Sequence, residues 1–519
     1  MNRYTIYFAL CMLIVHINTL HAQVLYPDSE YLEYYRILEI KNEGISNRMN
    51  IFPTIVSQYN KDSITWNPWK DNFQLDQQKN KSISLLPARL TNHYNSTYAH
   101  GYNDGALWKG KGYTGSIQGG VAGKYGLLEF TIAPIVFFSQ NSAFELAPQT
   151  SDNNPYNYQF TNKRIDYVQR YGDQSFAEFD LGQTDIRLVY KSFTIGASTQ
   201  NIVWGPAQRN PILLSNNSSG IPHIDIGTHK PVNTKIGRFE GKIYYGLLKK
   251  SDYFDEDTQW NHRYWSGFSA SYNPSFLPSL YLGFNRVLYK KAKDFVPLDL
   301  LVFITNFDDN DGVDGVNDEY DQMGSITMRW FFREVGFETY LEFAKNDFGG
   351  KLYGTEPDHS RGYTLGFSKY IDLKNKDLIK LTYEHATLDQ SKSNAYRATP
   401  TWYAHHIVKQ GYTQKGQILG AGIGPGSSSD YFNAQYVFAT GILQLTAQRI
   451  RFNDDYFYDT IKDENRHDHE WTLESTFSKF IGNYLVGMHF GMNFRQNMYY
   501  VENNDKTNVS ISLNLSKNF

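Results

Sequence analysis

From Tyr94 onward the chain alternates apolar and polar residues with a period of two. Val509, Ile511, Leu513 and Leu515 oppose Asn508, Ser510, Ser512, Asn514 and Ser516. Tyr484, Val486, Met488, Phe490, Met492 and Phe494 share one side of their stretch, against Leu485, Gly487, His489, Gly491 and Asn493. Tyr363, Leu365 and Phe367 oppose Thr364, Gly366 and Ser368, and Phe337, Leu341 and Phe343 oppose Glu338 and Glu342. Successive side chains on a strand point to opposite faces, so each stretch is a two-faced ribbon. Similar stretches lie near 127–138, 185–190, 194–203, 242–248, 264–272, 279–289, 323–332, 378–386, 431–439, 441–450 and 471–478. The count is about 16 strands, and weaker candidates raise it to about 18.

Such ribbons either stack as a soluble sandwich or close on themselves in lipid. The stretches run about 9–12 residues, the length of a tilted span of a bilayer. Aromatic residues are 16% of the chain and flank many stretches, as interfacial girdles require. The last stretch ends on the aromatic Phe519. In lipid only a closed barrel satisfies every backbone donor and acceptor, so an all-β, transmembrane antiparallel barrel is expected, in contact with outer-membrane lipid. A mean hydropathy of −0.52 and the lack of apolar runs of about 20 residues exclude a polytopic helical protein. A formal net charge of −3 offers nothing for nucleic acid. Longer polar connections at Gln140–Arg170, Lys249–Arg263, Asn306–Asp321, Asp389–Gly424 and Asn453–His469 are the expected outer loops.

The amino terminus has the layout of a secretory signal peptide over 1–22: Arg3, an apolar stretch from Ile6 to Val15, then Ala22 before Gln23. The single cysteine, Cys11, lies inside it, so a mature chain has no disulfide and no thiol chemistry. Residues 23–90 read as a helical leader. Asp28 or Ser29 caps a helix from Pro27 to Gly44, with Glu30 and Glu33 in its first turn. The leader reads as a small separate unit, and the barrel is expected to occupy 91–519.

Two segments go beyond barrel texture. One is Asn103-Asp104-Gly105-Ala106-Leu107-Trp108-Lys109-Gly110-Lys111-Gly112. The other spans Thr199 to Glu240 and holds Trp204-Gly205-Pro206, Arg209-Asn210, Leu214-Ser215-Asn216-Asn217, Gly220-Ile221-Pro222-His223 and Ile236-Gly237-Arg238-Phe239-Glu240. Together they resemble the capsule assembly Wzi family of Gram-negative outer membranes. The resemblance implies an 18-stranded outer-membrane barrel with a helical bundle at its periplasmic mouth. It also implies a lectin-like, non-enzymatic role in holding capsular or exopolysaccharide at the cell surface, in company with polysaccharide export machinery. The chain departs from the commonest pattern at Ala207, where glycine is more usual.

Within these segments Trp108 and Trp204 offer flat faces for a sugar ring. Arg209 and Arg238 can pair with sugar carboxylates, and Asn210, Asn216 and Asn217 offer both donors and acceptors for hydroxyls. Asp104 can accept from hydroxyls or hold an arginine. The same residues also suit a structural role, with Trp204 at a girdle, Asp104 and Arg209 as a lumenal ion pair, and asparagines in turns. The acidic run containing Asp309, Asp311, Asp314 and Asp318 is a weak calcium candidate without EF-hand spacing. His405-His406 and His467-Asp468-His469-Glu470 lack zinc-site spacing. No nucleophile elbow or phosphate loop is present, so neither catalysis nor a cofactor is expected. A channel or secretion-associated barrel is the alternative.

Overall fold

Along most strands the exterior residues are apolar and exposed and the interior residues polar and buried, the reverse of a soluble β fold. In the strand Lys506–Lys517, Ile511 and Leu513 are about half exposed, whereas Asn508, Ser510 and Ser512 are buried. In Arg361–Asp372, Leu365 and Phe367 are exposed between fully buried Thr364 and Ser368. In this computed structural model the described residues are 26–27, 29–42, 51–52, 65–69, 72, 81–149, 154–160, 164–255, 261–301, 320–346, 356–395, 398–399 and 401–517. The signal-peptide region, Phe519 and the acidic run with Asp309, Asp311, Asp314 and Asp318 lie outside them.

The sheet is a closed antiparallel barrel of 18 spans. Three spans, 128–139, 176–190 and 223–234, are each broken into two segments that pair with the same neighbouring span. Closure comes from the first strand, Lys81–Asn95, pairing with the last, from Ala88 opposite Lys517 to Asn95 opposite Ser510. Rings on the exterior form a girdle: Phe332, Phe337, Phe367, Tyr383 and Phe432 follow one another at centroid distances of 6.0, 6.0, 5.5 and 4.7 Å.

The leader was expected to run to residue 90, but the barrel begins at Lys81. Pro87, which reads as a breaker, sits where the register with Gly112–Tyr125 shifts between Leu86 and Arg89. A bulge tolerates a residue without an N–H, so the strand runs through it.

Short turns at 126–127, 191–192, 439–440 and 482–483 mark one end of the barrel and long loops the other, the pattern of periplasmic and external ends. The helix α1 (Glu30–Lys41) fills the short-turn end. Ser29 caps it, its Oγ accepting from the Leu32 N–H at 3.3 Å. It ends at Lys41 with Asn42 as C-cap, before Gly44. Nearly every side chain of α1 is buried, because the apolar ones meet an aromatic cluster and the charged ones meet the wall. Tyr34 stacks on Trp69 at 3.9 Å, and the Trp69 indole donates to the Phe438 carbonyl at 3.1 Å. Glu39 pairs with Arg329 at 3.2 Å and Lys41 with Asp372 at 2.6 Å.

Candidate functional site

The loop segments 199–222 and 401–427 fold back into the barrel. Ile202, Trp204, Ile212, Leu213 and Leu214 pack with Trp402, Tyr403, Val408 and Leu419 against the inner wall at Tyr244, Trp265 and Tyr289. Two lumenal carboxylates anchor this packing. Glu384 accepts backbone N–H groups from Gln208, Arg209 and Asn210 at 2.7, 3.2 and 2.7 Å, and the Tyr340 hydroxyl at 2.9 Å. Glu342 accepts the Ile212 N–H at 2.9 Å. An irregular chain inside a barrel must satisfy its own amides, and these carboxylates do so. Gly205, at φ +81°, makes the turn; a Cβ there would strain the backbone and crowd Thr327 at 3.3 Å. Ala207 has no positive φ, so the departure from glycine leaves the turn unstrained.

This geometry corrects part of the sequence reading. Trp204 is fully buried, with Tyr244 and Trp265 at 5.7 and 6.4 Å, and has no free face for a sugar. Asn210 is buried on Glu384. Arg238 lies at the opposite, short-turn end, donating to Asn273 at 2.8 Å and to the Tyr281 hydroxyl at 2.9 Å. Asp104 pairs with Lys109 at 2.6 Å rather than with Arg209. Arg209 lies between the rings of Tyr102 and Tyr431 at 5.2 and 5.5 Å and donates to Gln448 at 3.0 Å.

The two motif segments do meet. Asn103 Nδ2 donates to the Arg209 carbonyl at 2.9 Å, Asn216 Nδ2 to the Asn103 carbonyl at 2.6 Å, and the Gly105 N–H to the Asn216 carbonyl at 2.7 Å. Asn103 and Gly105 both take positive φ, which asparagine and glycine tolerate best. Beside this junction, at Tyr102, Asp104 and Asn217, lies a cleft of about 160 Å³ at the loop end.

Asp104, Trp108 and Asn217 line this cleft, and so do Glu470, which the sequence offered only for a metal, and Tyr98, His100, Tyr102, Phe144, Tyr158, Tyr167, Arg495 and Tyr499, which it did not single out. Its charges are paired side by side. Glu470 accepts from the Tyr98 hydroxyl at 2.8 Å and sits 3.0 Å from His100 Nε2. Arg495 forks onto Asp468 at 2.8 and 2.7 Å and lies over Phe452 at 4.2 Å. Burial beside Glu470 pushes the Tyr98 phenol far above its ordinary range, so it stays a hydroxyl donor. The cleft therefore combines aromatic faces with fixed polar groups and little unbalanced charge. The one available signal for it was the aromatic-polar run Tyr98-Ala99-His100-Gly101-Tyr102 just ahead of the first motif.

Among the described residues no group of His, Cys, Asp or Glu side chains is arranged to hold a metal. Within the run that invites a metal reading, His467 turns to Asp454 at 2.6 Å, Asp468 to Arg495 and Glu470 to Tyr98 and His100.

Comparisons with known proteins agree with this architecture. Wzi of Escherichia coli, described as an outer-membrane protein involved in group 1 capsule assembly and a carbohydrate-binding β-barrel, superposes with a TM-score of 0.65. It is 11% identical, and the match covers 95% of this chain and 99% of that one. OccAB2 of Acinetobacter baumannii (TM-score 0.39, 11% identity, 83% and 98% coverage) and OccK8 of Pseudomonas aeruginosa (0.41, 10%, 84% and 98%) resemble it more distantly. No curated protein matches the chain by sequence. The family model for the capsule assembly protein Wzi matches residues 78–508, from the first barrel strand into the last. The chain belongs to the capsule assembly Wzi family and is an outer-membrane β-barrel.

Proposed function

We propose that the protein tethers or assembles capsular or exopolysaccharide at the cell surface by non-covalent binding of sugar rings in the loop-end cleft. The observation that carries this reading is the cleft's composition: aromatic faces at Trp108, Tyr102, Tyr158 and Tyr167 beside the fixed polar groups of Asp104, Asn217 and Arg495. Flat rings take the C–H face of a sugar, and held donors and acceptors take its hydroxyls. Paired charges favour recognition through hydroxyls over recognition through carboxylates. The carbohydrate binding described for the Escherichia coli relative supports the same reading. Outer-membrane lipid around the belt and export machinery at the short-turn end are the partners this role implies. A channel fits less well, because packed side chains fill the lumen at both ends.

The test is twofold. Deleting the gene is expected to release polysaccharide from cells into the medium; cell-bound capsule at the parental level overturns the reading. Purified Trp108→Ala protein is expected to bind the strain's extracted polysaccharide about tenfold more weakly, roughly 1.4 kcal/mol, with its heat-modifiable gel mobility kept. Unchanged binding moves the site elsewhere.

A further inference from the structure

Most exterior positions of the barrel are exposed and apolar, but one patch near the loop end is different. Cross-strand partners share a face. Tyr245, Ser266, Leu288 and Gln322 are successive partners across four strands, and Tyr245 shares the outward face with exposed Leu247. Yet Ser266 and Leu288 are fully buried, as are outward-facing Arg286 and Lys290. Bare cations at this height would face acyl chains, an expensive position for charge.

The segment 292–301 covers part of them. Two short 3₁₀ turns, Ala292–Asp294 and Pro297–Leu301, lie against the outside of the wall. The Tyr245 hydroxyl donates to the Leu300 carbonyl at 2.7 Å, the Tyr264 hydroxyl to the Asp299 carbonyl at 3.2 Å, and Phe295 packs on Tyr264 at 4.9 Å. Asp299 reaches inward to neutralise Lys290 at 2.7 Å, and Arg286 donates to Gln322 at 2.6 Å. On its other side the segment shows Phe295, Val296, Leu298, Leu300 and Leu301, each 40% to 67% exposed.

We propose that this segment is an external strap whose apolar side inserts among the acyl chains of the outer leaflet, while its Asp299 side seals a charged patch on the wall. The occupant is lipid because the strap adjoins the belt: exposed Leu247 is the cross-strand partner of Tyr264, on which Phe295 packs. The strap extends the membrane-contacting surface sideways beyond the barrel's own strands.

Cys11, in the signal-peptide region, is the chain's single cysteine, so in protein expressed without residues 1–22 a label at one introduced position reports from that position. Such protein carrying Leu298→Cys, labelled with an environment-sensitive fluorophore, is reconstituted in phosphatidylcholine vesicles with nitroxide-bearing acyl chains. Quenching is expected to match a Leu365→Cys label on the bare belt and to exceed several-fold that of Glu464→Cys on an outer loop. Adding Asp299→Ala to Leu298→Cys is expected to remove that quenching while the barrel stays heat-modifiable. Quenching by aqueous iodide at the Glu464→Cys level overturns the proposal. So does shielding from both quenchers together with cross-linking between labelled copies, which would make the strap a contact between barrels. Retained lipid quenching in the Asp299→Ala background overturns the role given to Asp299.

Discussion

Both ends of the lumen hold apolar clusters, but what ties the inserted segments to the wall differs between them. At the short-turn end, α1 seats an aromatic cluster, with Trp69 sandwiched among Tyr34, Tyr31 and Phe480. At the loop end, segments far apart in sequence are held by carboxylates accepting backbone amides and by paired charges around the cleft. An apolar seal is insensitive to pH and salt but fails when volume is removed. A polar seal tolerates small losses of volume but depends on each donor keeping its acceptor. The difference suits the proposed division of labour: a permanent stopper inside, and outside a scaffold that keeps polar groups fixed yet reachable.

The largest expected effect comes from breaking the inner seal. Trp69→Ala removes a fully buried indole from the cluster and is expected to destabilise the docked leader by about 3–5 kcal/mol. Limited proteolysis should cut the leader readily in the variant and poorly in the parent, with the barrel and the loop-end cleft unaffected. Equal protection in both would mean that the ionic contacts of Glu39 and Lys41, rather than the aromatic cluster, hold α1.

Next comes the outer anchor. In Glu384→Gln one oxygen becomes an amide donor facing backbone donors, since both carboxylate oxygens accept N–H groups. A loss of about 2–3 kcal/mol is expected. It should appear as protease cutting within 199–222 and weaker polysaccharide binding, with α1 still protected. If both ends loosen together, the two seals form one cooperative unit and the contrast between them fails.

These anchors also show where reading the sequence stops. Alternation is local, so the strands from 264 to 517 were legible from period and polarity alone, and so was the Ser29-capped helix. The strand Lys81–Asn95 was not, because Pro87 mimics a breaker unless the bulge it occupies is known. Glu384 was invisible for another reason. A glutamate on the polar side of a strand looks the same whether it faces water or three amides from a segment more than 170 residues away. For the same reason Trp204 read as a sugar platform; only the fold shows that its faces are taken by Tyr244 and Trp265. Asp104, Trp108 and Asn217 were legible as candidates, whereas the aromatic walls supplied by Tyr158, Tyr167 and Tyr499 come from loops that no local pattern joins.

The smallest effect sharpens the contrast through pH. Asp455, outside the spanning strands, ties two outer loops together, accepting the Gln390 N–H at 2.7 Å and the Thr401 hydroxyl at 2.5 Å. Burial, with Asp389 and Asp454 nearby, pushes its carboxyl up to about 7 from an ordinary 3.8. The folded loops thus hold a proton that unfolded loops release between those values. Asp455's contribution to their stability is greatest below about pH 4 and falls as pH rises toward 7, by at most about 1.4 kcal/mol per pH unit. Protease cutting in 388–427 should therefore be faster at pH 7.5 than at pH 5 after correction for enzyme activity, and Asp455→Asn should flatten that profile. Cutting at the α1 leader should not follow it, since among the described residues Asp455 bonds only to the outer loops; a shared pH profile at both ends would show that the outer loops' titration reaches the inner plug.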